Sequence, residues 1–94
     1  MNEKKKINDK VIGISKFNSK SGNPCCKVFV LKPCTENQNK YGTYGFFVKE
    51  EWIPEHLQDR VTIALIGSEV KFEYIASIND YGQARAEISD IIVL

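Results

Sequence analysis

Between Glu69 and Leu94 apolar and polar positions alternate with period two. Val70, Phe72, Tyr74 and Ala76 interleave with Glu69, Lys71, Glu73 and Ile75, which gives one mainly apolar face and one mostly charged face. The return run sets Ala84, Ala86 and Ile88 against Arg85, Glu87 and Ser89, then closes in the apolar Ile91, Ile92, Val93 and Leu94. Asn79, Asp80 and Gly82 supply turn chemistry between the two runs. Residues 67–94 therefore predict a β-hairpin whose tip holds an aromatic, Tyr81, in solvent. Such a hairpin is not stable alone, so the preceding two-thirds of the chain must supply further strands.

The pattern upstream does so. Residues 10–17 form a β-branched run interrupted by Gly13, which predicts a first strand with a bulge or bend. Residues 18–24 are Ser, Gly, Asn and Pro around Lys20, a turn by composition. Residues 25–32 predict a second strand, with Val28 and Val30 on one face and Lys27, Phe29 and Leu31 on the other. Residues 33–42 are a polar connection ending in Tyr41 and Gly42. Residues 43–50 predict a third strand, with Tyr44, Phe46 and Val48 on one face and Gly45, Phe47 and Lys49 on the other. The period then changes. Leu57, Val61 and Ala64 or Leu65 recur at helical spacing, and Pro54 with Glu55 suits a first turn, so a short helix is expected within 51–66, although VTIALI taken alone is β-like.

Three strands, a short helix and two strands is the order of an OB-fold, a five-stranded Greek-key barrel. An SH3-like barrel also has five strands but places no helix between its third and fourth. The expected fold class is thus all-β, with residues 10–94 as a single OB-fold domain and residues 1–9, polar and lysine-rich, as a flexible basic arm.

Length and composition bound the functions. Ninety-four residues make one domain. No apolar run approaches the roughly 20 residues of a membrane helix, and no signal-peptide pattern follows the N-terminal charges, so a cytoplasmic protein with no membrane partner is expected. Cys25, Cys26 and Cys34 are an odd count that favours reduced thiols. Their spacing, with His56, matches no zinc ligand pair, so no metal and no cofactor is expected. His56 beside Glu55 reads as a surface residue, and Glu50, Glu51, Glu55 and Asp59 read as a solvated acidic face. No phosphate-cradling glycine motif, H-E-x-x-H or G-x-S-x-G occurs, so neither catalysis nor a small-molecule substrate is expected.

Charge changes the picture more than composition does. The formal net charge is +1, yet residues 1–49 carry ten lysines against three acids, while residues 50–94 carry three cations against nine acids. That asymmetry suggests either a face for a polyanion or charges that intermix on folding. Aromatics interleave with lysines on strands two and three and on two loops, the combination that binds single-stranded nucleic acid. The candidates are Lys16, Lys20, Lys27, Phe29, Tyr41, Tyr44, Phe46, Lys49 and Tyr81. Each has a packing alternative: Phe29 reads equally as core or platform, and either Tyr44, Phe46 and Val48 or Phe47 must face the core. Trp52 reads as a core or interface residue. The competing function is a small β-barrel that docks to another protein without binding nucleic acid.

Three segments resemble the single-stranded-DNA-binding proteins of filamentous phages, the gene V family of small OB-fold homodimers. Residues 19–31 are similar to their first DNA-binding hairpin, with Gly22 and Pro24 before the second strand. Residues 44–50 are similar to their third strand, where Tyr44 falls on a base-binding tyrosine and Lys49 on a lysine near phosphate. Residues 67–94 are similar to their closing hairpin, where Tyr81 and Gly82 fall on an aromatic–glycine pair. The chain departs from the family at Cys25, where a tyrosine is usual, and at Asp90, where an arginine is. It also uses lysine in place of arginine and has a longer connection over 52–66. The resemblance implies a homodimer that coats single-stranded DNA for a phage or mobile element in replication or transfer. RNA competes with DNA as the ligand, because ring stacking is blind to the sugar.

Overall fold

The computed structural model describes residues 7–94 and is mostly β: five antiparallel strands in one sheet, with few helical residues. The strands are β1 (Asp9–Asn18), β2 (Pro24–Pro33), β3 (Phe46–Trp52), β4 (Glu69–Ile78) and β5 (Ala84–Val93), in the sheet order β3-β2-β1-β4-β5. Most of the expected basic arm, residues 1–6, lies outside the described residues, and Asp9 already opens β1.

The antiparallel ladders tie β1 to β2 along their whole length and β2 to β3 from Lys27↔Trp52 to Pro33↔Phe46. β1 meets β4 only at Asp9↔Val70 and Lys10↔Glu69, with flanking bonds from the Val11 amide to the Ser68 carbonyl (3.0 Å) and from the Gly67 amide to the Val11 carbonyl (2.7 Å). This narrow junction joins the three-stranded part to the β4–β5 hairpin. Beyond it the hairpin runs on through Ile75↔Glu87 to Ile78↔Ala84, and most residues of that outer half are exposed.

The bulge expected at Gly13 is present, as a register shift between Val11 and Gly13. The glycine has a second role. Gly13 lies opposite Phe29, and a Cβ there would stand 3.1 Å from the Phe29 ring, so the missing side chain leaves room for the ring to lie across β1.

The core gathers one side of four strands: Val11 from β1, Cys26, Val28 and Val30 from β2, Val70 and Phe72 from β4, Ile88 and Ile91 from β5. Ile53, Leu57, Val61 and Leu65 from the β3–β4 connection cover them. Each such aliphatic side chain contributes about 1.5–3 kcal/mol when fully buried. Leu57, Val61 and Leu65 point inward at the spacing that suggested a helix, but that connection is two 3₁₀ turns, Glu55–Arg60 and Ile63–Leu65. Between them Val61 and Thr62 are extended, because a β-branched run (Val61, Thr62, Ile63) resists helical packing. Among the described residues the α-helix lies elsewhere, α1 (Glu36–Lys40) in the β2–β3 connection, started by a capping box in which Thr35 and Gln38 bond reciprocally.

β3 begins three residues later than the sequence predicts, because Gly45 sits at φ +87° and breaks the extended run. It also ends two residues later, at Trp52. No helix among the described residues is long and apolar enough to cross a membrane.

Candidate nucleic-acid interface

Because directly opposed residues share a face, the ladder fixes what the outer side of β1–β2–β3 presents. Phe29 lies opposite Gly13 and Glu50, Lys27 opposite Ser15 and Trp52, Leu31 opposite Val48, and Pro33 opposite Phe46. This is the side away from Val28 and Val30. Phe46, Val48 and Trp52 are exposed there, each by more than half, and Phe17 is 42% exposed. Apolar rings left open in a row mark a binding surface more often than isolated exposed hydrophobes do.

The rings are organised around one lysine. Phe17 and Trp52 meet edge to face with centroids 6.1 Å apart. The Lys27 ammonium sits 5.4 Å from the Phe29 centroid and 5.4 Å from the Trp52 centroid, and its Nζ donates to Glu50 Oε1 at 3.3 Å. Contacts between a cation and rings at exposed sites contribute about 0.5–1 kcal/mol each. They hold the lysine between two aromatic surfaces.

The structure brings Lys27, Phe29 and Phe46 onto this face. Lys16 is elsewhere: it lies opposite Cys26, toward the core side, and its Nζ donates to the Gln58 carbonyl at 3.0 Å, fastening the first 3₁₀ turn to β1. Lys49 is also on the core side, opposite Val30, and pairs with Glu51 at 2.9 Å. Lys20 is exposed in the β1–β2 turn, which Ser19 closes by bonding to Asn23 and Gly22. Tyr41 caps α1 and is 83% exposed. Tyr44 is exposed but precedes β3 across Gly45, so the strand alternation does not place it with Phe46.

Tyr81 stands at the far end of the β4–β5 hairpin, 89% exposed. Asn79 builds that tip: its Oδ1 accepts from the Tyr81 amide (3.0 Å) and the Gln83 amide (2.9 Å), while Gly82 takes φ +75°. The ring is thus held out by backbone bonds and not by packing.

Phe17 and Trp52 were missed by sequence reasoning. The signal was available for Trp52: alternation continued two residues past Glu50 puts it on the face of Phe46 and Val48. The change of period near Pro54 hid it.

On the opposite side, the two sheet edges β3 and β5 border a cleft of about 470 Å³ lined by Lys49, Trp52, Tyr74, Arg85 and Glu87 among others. The Tyr74 hydroxyl donates across it to Glu51 Oε2 at 2.8 Å. Among the described residues Glu51 is the buried charged one, and it receives both this bond and the Lys49 ammonium. Burial, and then the bond to Glu51, push the Tyr74 phenol far above its ordinary value, so it remains a donor at any working pH.

Compared with known proteins, the chain matches no family model, no curated protein and no solved structure, so the reading of the site rests on its own geometry. His56 is exposed on the first 3₁₀ turn, and the three cysteines are free thiols, with burial pushing Cys26 above its ordinary value.

Proposed function

We propose that this protein binds single-stranded DNA without catalysing a reaction, coating it in the cytoplasm during replication or transfer of a phage or other mobile element. The observation that carries this reading is the open aromatic face of β1–β2–β3, on which Phe29 and Trp52 flank Lys27, Phe17 packs against Trp52, and Phe46 stands exposed at the far end of the same face. Rings of this kind stack on bases whatever their identity, and exposed cations such as Lys20 near the hairpin follow the phosphates. Tyr41, Tyr44 and Tyr81 extend the set of free rings onto the loops.

The strand order supports an OB-fold. β3-β2-β1-β4-β5, with the unpaired edges β3 and β5 bordering one cleft, is an order that would suit a five-stranded barrel, although the sheet itself is not closed by a β3–β5 ladder. The filamentous-phage resemblance belongs to the same proposal, as does a homodimer, for which the exposed Ile75 and Ile78 of the hairpin offer apolar surface.

A second reading has its own support. The same apolar hairpin and the unpaired edge of β3 suit docking to another protein. Competition separates the two. Labelled oligo-dT bound to the protein is displaced by unlabelled single strand and not by duplex of equal length. Failure to bind the oligonucleotide at low salt leaves the docking module standing.

A further inference from the structure

On a surface that holds phosphates, one group is out of place. Glu50 projects from the aromatic face, its side chain 51% exposed, directly opposite Phe29 and diagonal to Lys27. A carboxylate there repels the backbone of any nucleic acid that lies across it. Its partner is equally unsuited to phosphate. Lys27 has a side chain only 22% exposed, flanked by two rings and tied to Glu50, unlike the free Lys20. The pair is built for a ligand that offers hydrogen-bond donors and an acceptor side by side in the plane of a stacked ring.

A base edge is such a ligand, and the four bases differ in how many of these bonds they can satisfy. Guanine offers two adjacent donors, N1–H and the 2-amino group, to a carboxylate, and O6 to an ammonium. Adenine, cytosine and thymine each offer a single donor group on the same edge, so one carboxylate oxygen stays unused. We propose that Lys27, Phe29, Glu50 and Trp52 form a guanine-reading subsite: the base stacks on Trp52, Glu50 accepts from N1–H and the 2-amino group, and Lys27 donates to O6. This rests on the single-stranded-DNA reading above and refines it. The strand is coated at large through rings and phosphates, and one position of each footprint favours guanine. The T-shaped contact between Phe17 and Trp52 fixes the indole's place on the face.

The test uses the full chain and two labelled oligo-dT strands of equal length, one with a single central dG. Affinity is read by anisotropy at one moderate salt concentration. The dG strand binds about tenfold tighter, within the range of one bidentate base contact. Placing inosine at that position, which lacks the 2-amino group, lowers the advantage. Glu50→Gln brings the ratio of the two affinities to about one while affinity for plain oligo-dT rises, because the repulsion is gone. Salt-dependent binding of both strands with equal affinity, and a ratio that Glu50→Gln does not move, overturns the subsite and leaves the coating function intact. Absence of binding to either strand at low salt overturns both.

Discussion

Trp52, Phe17 and the loop tyrosines differ in what holds them, and that difference sorts their expected contributions. Tyr44 and Tyr81 are exposed and neither packs into the core, so removing both rings leaves the fold alone. The double variant Tyr44→Ala/Tyr81→Ala melts at the wild-type temperature and binds oligo-dT at least tenfold more weakly, since each stacked ring contributes about 1–3 kcal/mol. Unchanged affinity in that variant removes both tyrosines from the interface. A second residue-scale device ties the first 3₁₀ turn to β5. Arg60 donates to the Asp90 carboxylate and to the Ile91 carbonyl, and Asp90 also accepts from the Ile91 amide at 2.8 Å. The Arg60 bond, then that amide, hold the Asp90 carboxyl below its ordinary value. Its folded pKa is therefore below the unfolded one, so the pair's stabilisation is present above about pH 4 and is lost as pH falls through the folded value. Asp90→Asn accordingly lowers the melting temperature at pH 7, and the gap to wild type narrows toward pH 3. A gap that stays constant between those pH values contradicts this role.

At the scale of elements, the strands were legible because period two is a strong signal, and their partners followed from turn chemistry. β1, β2, β4 and β5 fall within a residue or two of the expected bounds. The helix was not, for a local reason. Leu57, Val61 and Leu65 are buried as an amphipathic helix would bury them, but Val61, Thr62 and Ile63 favour extended backbone, and the segment splits into 3₁₀ turns. The missed helix, α1, had its start written in Thr35 and Gln38, a capping box without the apolar face that usually draws notice. The site was half legible: Lys27, Phe29 and Phe46 lie together as their residue types suggested, whereas Lys16 and Lys49 are turned to the core side by strand parity. Gly13 shows how closely face and fold are coupled. A side chain there meets the Phe29 ring, so Gly13→Val overpacks the β1–β2 pair at a cost of about 1–3 kcal/mol. Urea titration reads this as a lower midpoint with an unchanged slope; a midpoint at or above wild type contradicts the proposed packing of Phe29 over β1.

For the whole molecule, the excess of lysines in the first half does not become a uniformly basic surface. Lys27, Lys32 and Lys49 are paired with Glu50, Asp9 and Glu51, which leaves Lys10, Lys20 and Lys40 without an ion pair among the described residues, and Lys16 bonded only to a carbonyl. The three unpaired lysines predict a contribution of roughly −2 per bound protomer to the salt slope for single-stranded DNA, shallower than the lysine count suggests. The shape fits the same division of labour. Its extents are 52 × 34 × 21 Å with a radius of gyration of 15.4 Å, against about 12 Å for a compact chain of this length, because the β4–β5 hairpin runs on past the core and carries Tyr81 at its tip. The central claim is that the outer face of β1–β2–β3 stacks on single-stranded DNA, and Trp52, the chain's one tryptophan, is a reporter placed on that face. The most direct measurement is the fluorescence of Trp52 during titration with oligo-dT of about 30 nucleotides, long enough for several protomers, at low and then moderate salt. Saturable quenching, with an affinity that falls log-linearly with salt, is the predicted result. Trp52 emission that does not change at low salt, with or without binding by another probe, contradicts it.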